Sequence, residues 1–247
     1  MDIWISKEKI PYGQASNKGI LSESSVNARN IVEIDEVEQS YRLRHEVFAK
    51  ELGWVPLRED GLEVDAYDDH AEHFGVFSDF QLLSYLRVVR SGQMYMLEKE
   101  FSCLVSPDHE IRKDSETCEI SRLCVHPYHR GAKVLTDIGL VGPSLFLYRE
   151  TYWWCREQGV RHLYLVVENR VFRLLKMTGF PCQPVGDAVR MPDGVVAVAA
   201  LMDWREFEEV NARQRPQFLE WFSRQRSCQG SWPPPLPEHG SPLRVYS

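Results

Sequence analysis

The class this sequence predicts is mixed α/β, a central sheet covered by helices on both faces. Three observations carry it. HLYLVV (His162 to Val167) is an unbroken apolar run, the pattern of a strand buried on both faces. CEISRLCV (Cys118 to Val125) alternates as a half-buried strand does. Around them lie helical periodicities closed by Gly53, Gly159 and Gly179, so the order reads strand, helix, strand, helix, strand, strand.

The elements follow in order. Residues 1–29 mix Ser, Asn and Lys without periodicity and predict an N-terminal arm. NIVEI (Asn30 to Ile34) alternates like a strand, and Asp35 with Glu38 forms a capping-box pattern opening a helix that carries Val37, Tyr41, Phe48 and Leu52. HFGVF (His73 to Phe77) and QLLSYLRVV (Gln81 to Val89) predict a hairpin turning at Ser78 and Asp79. MYMLEKEF and a polar loop lead to the Cys118 strand. A long helix is predicted from Ala132 to about Gln158, and a short one from Asn169 to Gly179. A Pro-Asp-Gly turn (Pro192 to Gly194) divides two last strands, and helices from Trp204 to Phe222 break at Pro216. These limits give an arm (1–29), a main domain (30–225) and a Pro-, Gly- and Ser-rich tail (226–247) that is expected to be disordered.

A chain of 247 residues can bury a sizeable core without disulfides or metal. Its six cysteines are scattered, with no zinc-ribbon spacing and no secreted disulfide framework. The opening MDIWISKEKIPYG lacks an apolar leader core, and no run approaches the length of a bilayer span, so the expectation is a cytoplasmic protein. A formal charge of −7 argues against nucleic acid as partner.

Arg44 to Asp68 is the stretch with the most chemistry. Arg44 and Phe48, four residues apart, share one side of a helix, and the following loop holds Trp54, Glu63, Asp65 and Asp68. Carboxylates and aromatic rings in one loop suit a pocket that binds a cation, although a solvated acidic loop with Trp54 plugging the core has the same pattern. Glu119 and Arg122 are three apart on a strand, which places them on opposite faces unless the strand bulges between them and splays from its neighbour. His70 and His73 beside Asp68 and Asp69 lack a fixed metal-ligand spacing, and no metal site is assigned.

Taken together, Arg44, Phe48, Trp54, Glu63, Asp65, Asp68, Arg87, Phe101, Glu119 and Arg122 resemble, in identity and spacing, the signature residues of the acyl-homoserine lactone synthases, which make bacterial quorum signals. The match covers Tyr41 to Val125. The second half resembles the wider GNAT acyltransferase superfamily: Arg130 and Gly131 fall where its phosphate loop begins, and Asn169, Gly179 and Phe180 match its later helix and turn. This likeness implies a GNAT-like mixed, splayed sheet. It also implies an acyl donor and S-adenosylmethionine as substrates, with no separate cofactor. Lys133 and Leu135 stand where coenzyme A enzymes of the superfamily place later glycines, and Leu175 stands where many have a tyrosine acid. Both departures favour acyl carrier protein as donor, with Arg130 and Lys133 as candidates to meet it.

Aminolysis of a thioester needs a neutral amine, a donor for the developing oxyanion and close placement of both reactants. Glu63, Asp65 and Asp68 are candidates to hold an ammonium group and take its proton, with Glu119 and Arg122 completing the catalytic set. Phe48 and Trp54 would cover a sulfonium and adenine, with Arg44, Asp68, Arg87 and Phe101 as further binding residues. Each has a structural alternative: Glu119 with Arg122 as an ion pair, Arg87 as an anchor of the acidic loop, and Phe101 with Leu145, Phe146, Tyr152 and Trp153 as plain core. The competing functions are an N-acyl amino acid synthase, a coenzyme A dependent N-acetyltransferase and a catalytically silent acyl-binding module.

Overall fold

The computed structural model describes residues 19–224; residues 1–18 of the predicted arm and the whole predicted tail lie outside them. Eleven strands and six helices follow in order: β1 (Ile20–Ser22), β2 (Asn27–Asn30), α1 (Ile34–Arg44), β3 (Ala71–Ser78), β4 (Gln81–Arg90), α2 (Met96–Lys99), β5 (Thr117–Val125), β6 (Lys133–Thr136), β7 (Gly139–Val141), α3 (Ser144–Gln158), β8 (His162–Glu168), α4 (Asn169–Met177), β9 (Cys182–Pro184), β10 (Val189–Arg190), β11 (Val196–Asp203), α5 (Trp204–Gln214) and α6 (Pro216–Ser223). The main sheet runs β10-β11-β8-β5-β4-β3-β2, with β9 also paired to β11. Only β5 and β8 run parallel within it, and all other pairs are antiparallel. β1, β6 and β7 make a small separate sheet.

The helices cover the sheet as the sequence predicts. Phe146, Leu147, Tyr152 and Cys155 of α3 pack into the main core with Phe74 and Leu86. On the other face α1 contributes Leu43, continued by Val47 and Phe48, to a core with Tyr85 and Cys124. A third cluster gathers Tyr95, Leu97 and Tyr164 beneath α2. Gly159 ends α3 at φ 71°, a left-handed cap that glycine adopts without a Cβ clash.

Four expectations change. The helix predicted from Ala132 starts only at Ser144. Residues 133–136 instead alternate half-buried, buried, exposed, buried, a period of two, and turn at Gly139 (φ 102°) into β7. Gly142 and Pro143 then separate the hairpin from α3. The first strand of the main sheet is 27–30, not Asn30 to Ile34, so ordered strands begin inside the stretch assigned to the arm. Helix α1 opens at Ile34 after Glu33, with no side-chain cap bond, so the Asp35 and Glu38 pattern is not a capping box. Beyond Arg44 the helix widens into a π-helical segment, His45–Glu51. The β3–β4 turn falls on Asp79 and Phe80, both at positive φ, one residue later than predicted.

Candidate active site

The site is built where β5 departs from regularity. Tyr85 pairs with Cys124 and Arg87 with Ser121, so the single residue Leu86 of β4 faces two residues of β5, Arg122 and Leu123. This is the bulge that places Glu119 and Arg122 in one cavity, and Arg122 takes φ 53° to form it. On its other edge β5 pairs with β8 only from Thr117↔His162 to Ile120↔Leu165. Beyond that point the two parallel strands diverge.

A cavity of about 640 Å³ occupies the gap, within the usual range for a small-molecule site. It passes through the sheet. On one side its wall includes Phe101, Val166, Met191 and Ala197 of the core beneath α2; on the other it includes Leu165, Val171, Leu175 and Phe180 of the core beneath α3 and α4. The cavity thus has one chamber on each face of the sheet.

Glu119 stands at the junction, 2% exposed. Its Oε2 accepts from the Met96 N–H at 2.7 Å and its Oε1 from the Leu97 N–H at 2.8 Å, the first free amides of α2. Burial raises its pKa to about 7, against the opposing pull of those two amides and of Arg87. A carboxyl so poised exchanges a proton near neutrality, as a general base requires. Arg122 does not pair with it. The structural alternative, a Glu119–Arg122 ion pair, does not form: Arg122 turns to Glu63 and Asp65 instead.

Three guanidinium groups and three carboxylates form one network beside the cavity. Arg44, fully buried, donates to both oxygens of Asp68 and, through Nε, to Glu63. Arg87, also fully buried, donates to Asp65 at 2.5 Å, Asp68 at 2.8 Å and Ser121 at 3.0 Å. Arg122 donates to Glu63 at 3.0 Å and Asp65 at 2.8 Å. Buried charges persist when paired in this way. Burial opposes the ionisation of Asp68, but Arg44 and Arg87 outweigh it and hold the carboxyl down at about 2.

The network sorts the predicted residues. Phe48, Trp54, Asp65, Phe101, Glu119 and Arg122 line the cavity. Arg44, Glu63, Asp68 and Arg87 do not; they sit behind it and fix the acidic loop, the anchoring alternative for Arg87. Of the three acids proposed to hold an ammonium group, only Asp65 reaches the cavity wall. Trp54 is 39% exposed and stacks on Phe48 with ring centres 6.0 Å apart, while the Arg122 guanidinium lies 5.5 Å over the Phe48 ring.

Arg130 and Lys133 lie outside the cavity wall. Arg130 is held by Glu51, and Lys133 begins β6 beside Ile20. Residues 133 and 135 therefore belong to a strand and not to a phosphate loop entering a helix, so of the two departures that favour acyl carrier protein only Leu175 stands.

Met96 escapes notice in the sequence. Its thioether faces Arg87 Nη2 at 3.2 Å and Arg122 Nη1 at 3.4 Å while its amide serves Glu119, so it joins Glu119 to the network. Its position next to Tyr95 in a four-residue helix gives no pattern from which this could be read. Among the described residues no group of three His, Cys, Asp or Glu side chains is placed to hold a metal ion, and no helix is long and apolar enough to cross a membrane.

A mixed sheet split between two parallel strands, with a carboxylate at the split and a cavity through it, is the architecture of a GNAT-like acyltransferase. The family model for autoinducer synthases matches residues 28–211, and the chain belongs to that family. It is similar to the acyl-homoserine-lactone synthase of Aeromonas salmonicida, 29% identical over 163 residues that cover 65% of this chain and 77% of that protein. In structure it is similar to BjaI, a coenzyme A dependent acyl-homoserine lactone synthase solved with S-adenosylmethionine and isopentyl-CoA. The TM-score is 0.64 at 23% identity, covering 76% of this chain and 89% of the other. LasI, another acyl-homoserine lactone synthase, aligns with a TM-score of 0.61 at 20% identity over 72% and 88%.

Proposed function

We propose that this acyltransferase moves an acyl chain from acyl carrier protein to the amine of S-adenosylmethionine and closes the product to an N-acyl-homoserine lactone. The observation that carries the reading is Glu119, a carboxyl titrating near 7 at the gap where the two chambers meet. In its ionised form it removes a proton from the acceptor's ammonium, directly or through one water, and frees the neutral amine to attack the thioester carbonyl. Asp65 supplies negative charge to the acceptor's cation, and Trp54 over Phe48 offers aromatic faces to sulfonium and adenine. The apolar chamber beneath α3 and α4 takes the acyl chain. Lactone closure follows from positioning, because a sulfonium is already a good leaving group.

The donor choice draws support from the wall of the cavity. Asp65, Glu100, Glu119, Glu168 and Asp193 line it against the single cation Arg122. Coenzyme A would bring a pyrophosphate and a further phosphate toward these acids, whereas the carrier's phosphopantetheine brings one phosphodiester. BjaI is coenzyme A dependent, and both donors belong in the assay. Purified protein with S-adenosylmethionine and either thioester should release methylthioadenosine together with a lactone identified by mass. Acylation of a free amino acid, with no methylthioadenosine, would replace this reading by the N-acyl amino acid synthase.

A further inference from the structure

Helix α2 is four residues long, and two of its amides, those of Met96 and Leu97, hold Glu119. So short a helix has no fixed orientation of its own, and side chains must supply it. Glu119 is a poor anchor: on gaining a proton a carboxyl becomes part donor, and its grip on two amides slackens at the step where placement counts. A second anchor lies on α2 itself. Glu98 Oε2 accepts from the Tyr95 N–H at 2.6 Å, closing the first turn back on its start, and the same oxygen accepts from Lys113 Nζ at 2.7 Å. Lys113 stands in the loop before β5, donates also to the Gln93 carbonyl and lies 3.6 Å from the centre of the Tyr95 ring. Neither Glu98 nor Lys113 lines the cavity, and both are part exposed. An ion pair so placed adds little to stability by itself; what it fixes is the direction of the next two amides.

We infer that Glu98 and Lys113 are positioning residues for the reaction: they set the head of α2 so that Met96 and Leu97 present their N–H groups to Glu119. The inference rests on the reading of Glu119 as the base and adds what keeps that base aimed. Hydrogen bonds to a carboxylate favour its charged form, so loosening these amides must raise the pH at which Glu119 ionises. Removing the charge of Glu98 alone would act the other way, since a nearby negative charge also keeps a proton on Glu119. The sign therefore separates position from charge.

The ionisable groups that face Glu119 are Arg87 on β4, Lys113, Tyr67 of the acidic loop, Tyr95 and Cys118, with Asp65, Glu100 and Arg122 on the same cavity wall. Burial pushes the two phenols and the thiol up, so none of these three titrates beside Glu119.

The test is the dependence of kcat/KM on pH, with the NMR signal of the Glu119 carboxyl carbon followed over the same range and assigned by its loss in Glu119→Gln. Glu98→Ala should move both midpoints up by about one pH unit, so that the rate at about pH 6 falls roughly tenfold while the alkaline plateau stays near that of the wild type. Glu98→Gln keeps one oxygen that can accept from both Tyr95 and Lys113, and it should leave the midpoints in place. Lys113→Met, which leaves the sequence of α2 unaltered, should move them up as Glu98→Ala does, and it carries the test should Glu98→Ala not fold. Midpoints that stay or fall, or an equal loss of rate at every pH, would overturn the positioning role. The two measurements keep it apart from the reading it rests on. A carboxyl signal that moves up without the rate following would keep the positioning and remove Glu119 as base. A rising limb that vanishes in Glu119→Gln yet stays put in Glu98→Ala would keep the base and remove the positioning.

Discussion

Arg44 and Asp68 meet through two parallel hydrogen bonds, Nη1 to Oδ1 at 2.6 Å and Nη2 to Oδ2 at 3.0 Å, with Arg87 sharing the same Oδ1 at 2.8 Å. The arrangement fixes a loop and has a definite pH signature. Asp68 titrates at about 2 in the folded chain and near its ordinary value of about 4 when unfolded. Its depressed folded pKa gives stability that is present above about 4 and lost as pH falls toward 2. Asp68→Asn leaves two buried guanidinium groups short of charge and should destabilise by about 3 kcal/mol at pH 7. Urea unfolding from pH 7 to pH 2 checks this. The wild type should weaken below pH 4, and the variant should start low and change less. Equal stability of the two at pH 7 would show the pair to be dispensable.

Asp65 should behave differently, although it belongs to the same network. It lines the cavity, and its side chain keeps 21% exposure while bonding to Arg87 and Arg122. Asp65→Asn keeps the shape but turns one of two accepting oxygens into an NH2 that faces a guanidinium; because Arg87 keeps Asp68 and Arg122 keeps Glu63, its stability loss should be smaller than that of Asp68→Asn, while kcat/KM falls about tenfold or more. A variant with full activity would take Asp65 out of acceptor binding.

Trp54 offers a test of the aromatic wall. Its partial exposure and its stacking on Phe48 give a ring that a cationic acceptor can cover without any change in the core. Trp54→Ala should raise the KM for S-adenosylmethionine about tenfold and Trp54→Phe about threefold, with kcat little changed. Equal KM values for the two variants would contradict the role.

The sequence made the bulge readable and hid the hairpin. Glu119 and Arg122 at a spacing of three on an alternating strand pose a contradiction that a bulge resolves, and the structure places the extra residue at Arg122. Lys133 to Thr136, by contrast, is too short a period-two run to stand out from the helical pattern after it, so in sequence the β6–β7 hairpin is indistinguishable from the start of α3. Which acid meets which arginine was also illegible. Glu63, Asp65 and Asp68 look alike in a loop, and only the packing of Arg44 and Arg87 against the core sends Glu63 and Asp68 inward and leaves Asp65 at the cavity.

The acid-lined cavity predicts how the two donors respond to salt. Acyl carrier protein should give a higher kcat/KM than the matching acyl coenzyme A at low ionic strength. Raising the salt should narrow the gap by screening the repulsion between coenzyme A phosphates and the cavity carboxylates. Initial rates with both donors at several salt concentrations measure it. A coenzyme A reaction that is already faster at low salt would reverse the donor assignment and leave the acyl transfer itself in place.

Glu119 gives the most direct link between burial and rate. Two α2 amides hold its carboxylate, but burial wins and lifts its pKa to about 7. Only the ionised form accepts a proton, so log kcat/KM should rise with pH up to about 7 and then level off. Glu119→Gln keeps the size of the side chain and one of its two bonds from the α2 amides and removes the base, which should lower turnover about a hundredfold or more and abolish the rising limb. Acceptor KM should change far less than kcat if Glu119 acts on the proton in transit while Asp65 and Trp54 hold the acceptor, as proposed above. A Glu119→Gln enzyme that kept the same pH profile at reduced rate would mean that another group titrates near 7 and that Glu119 serves only to hold α2 in place.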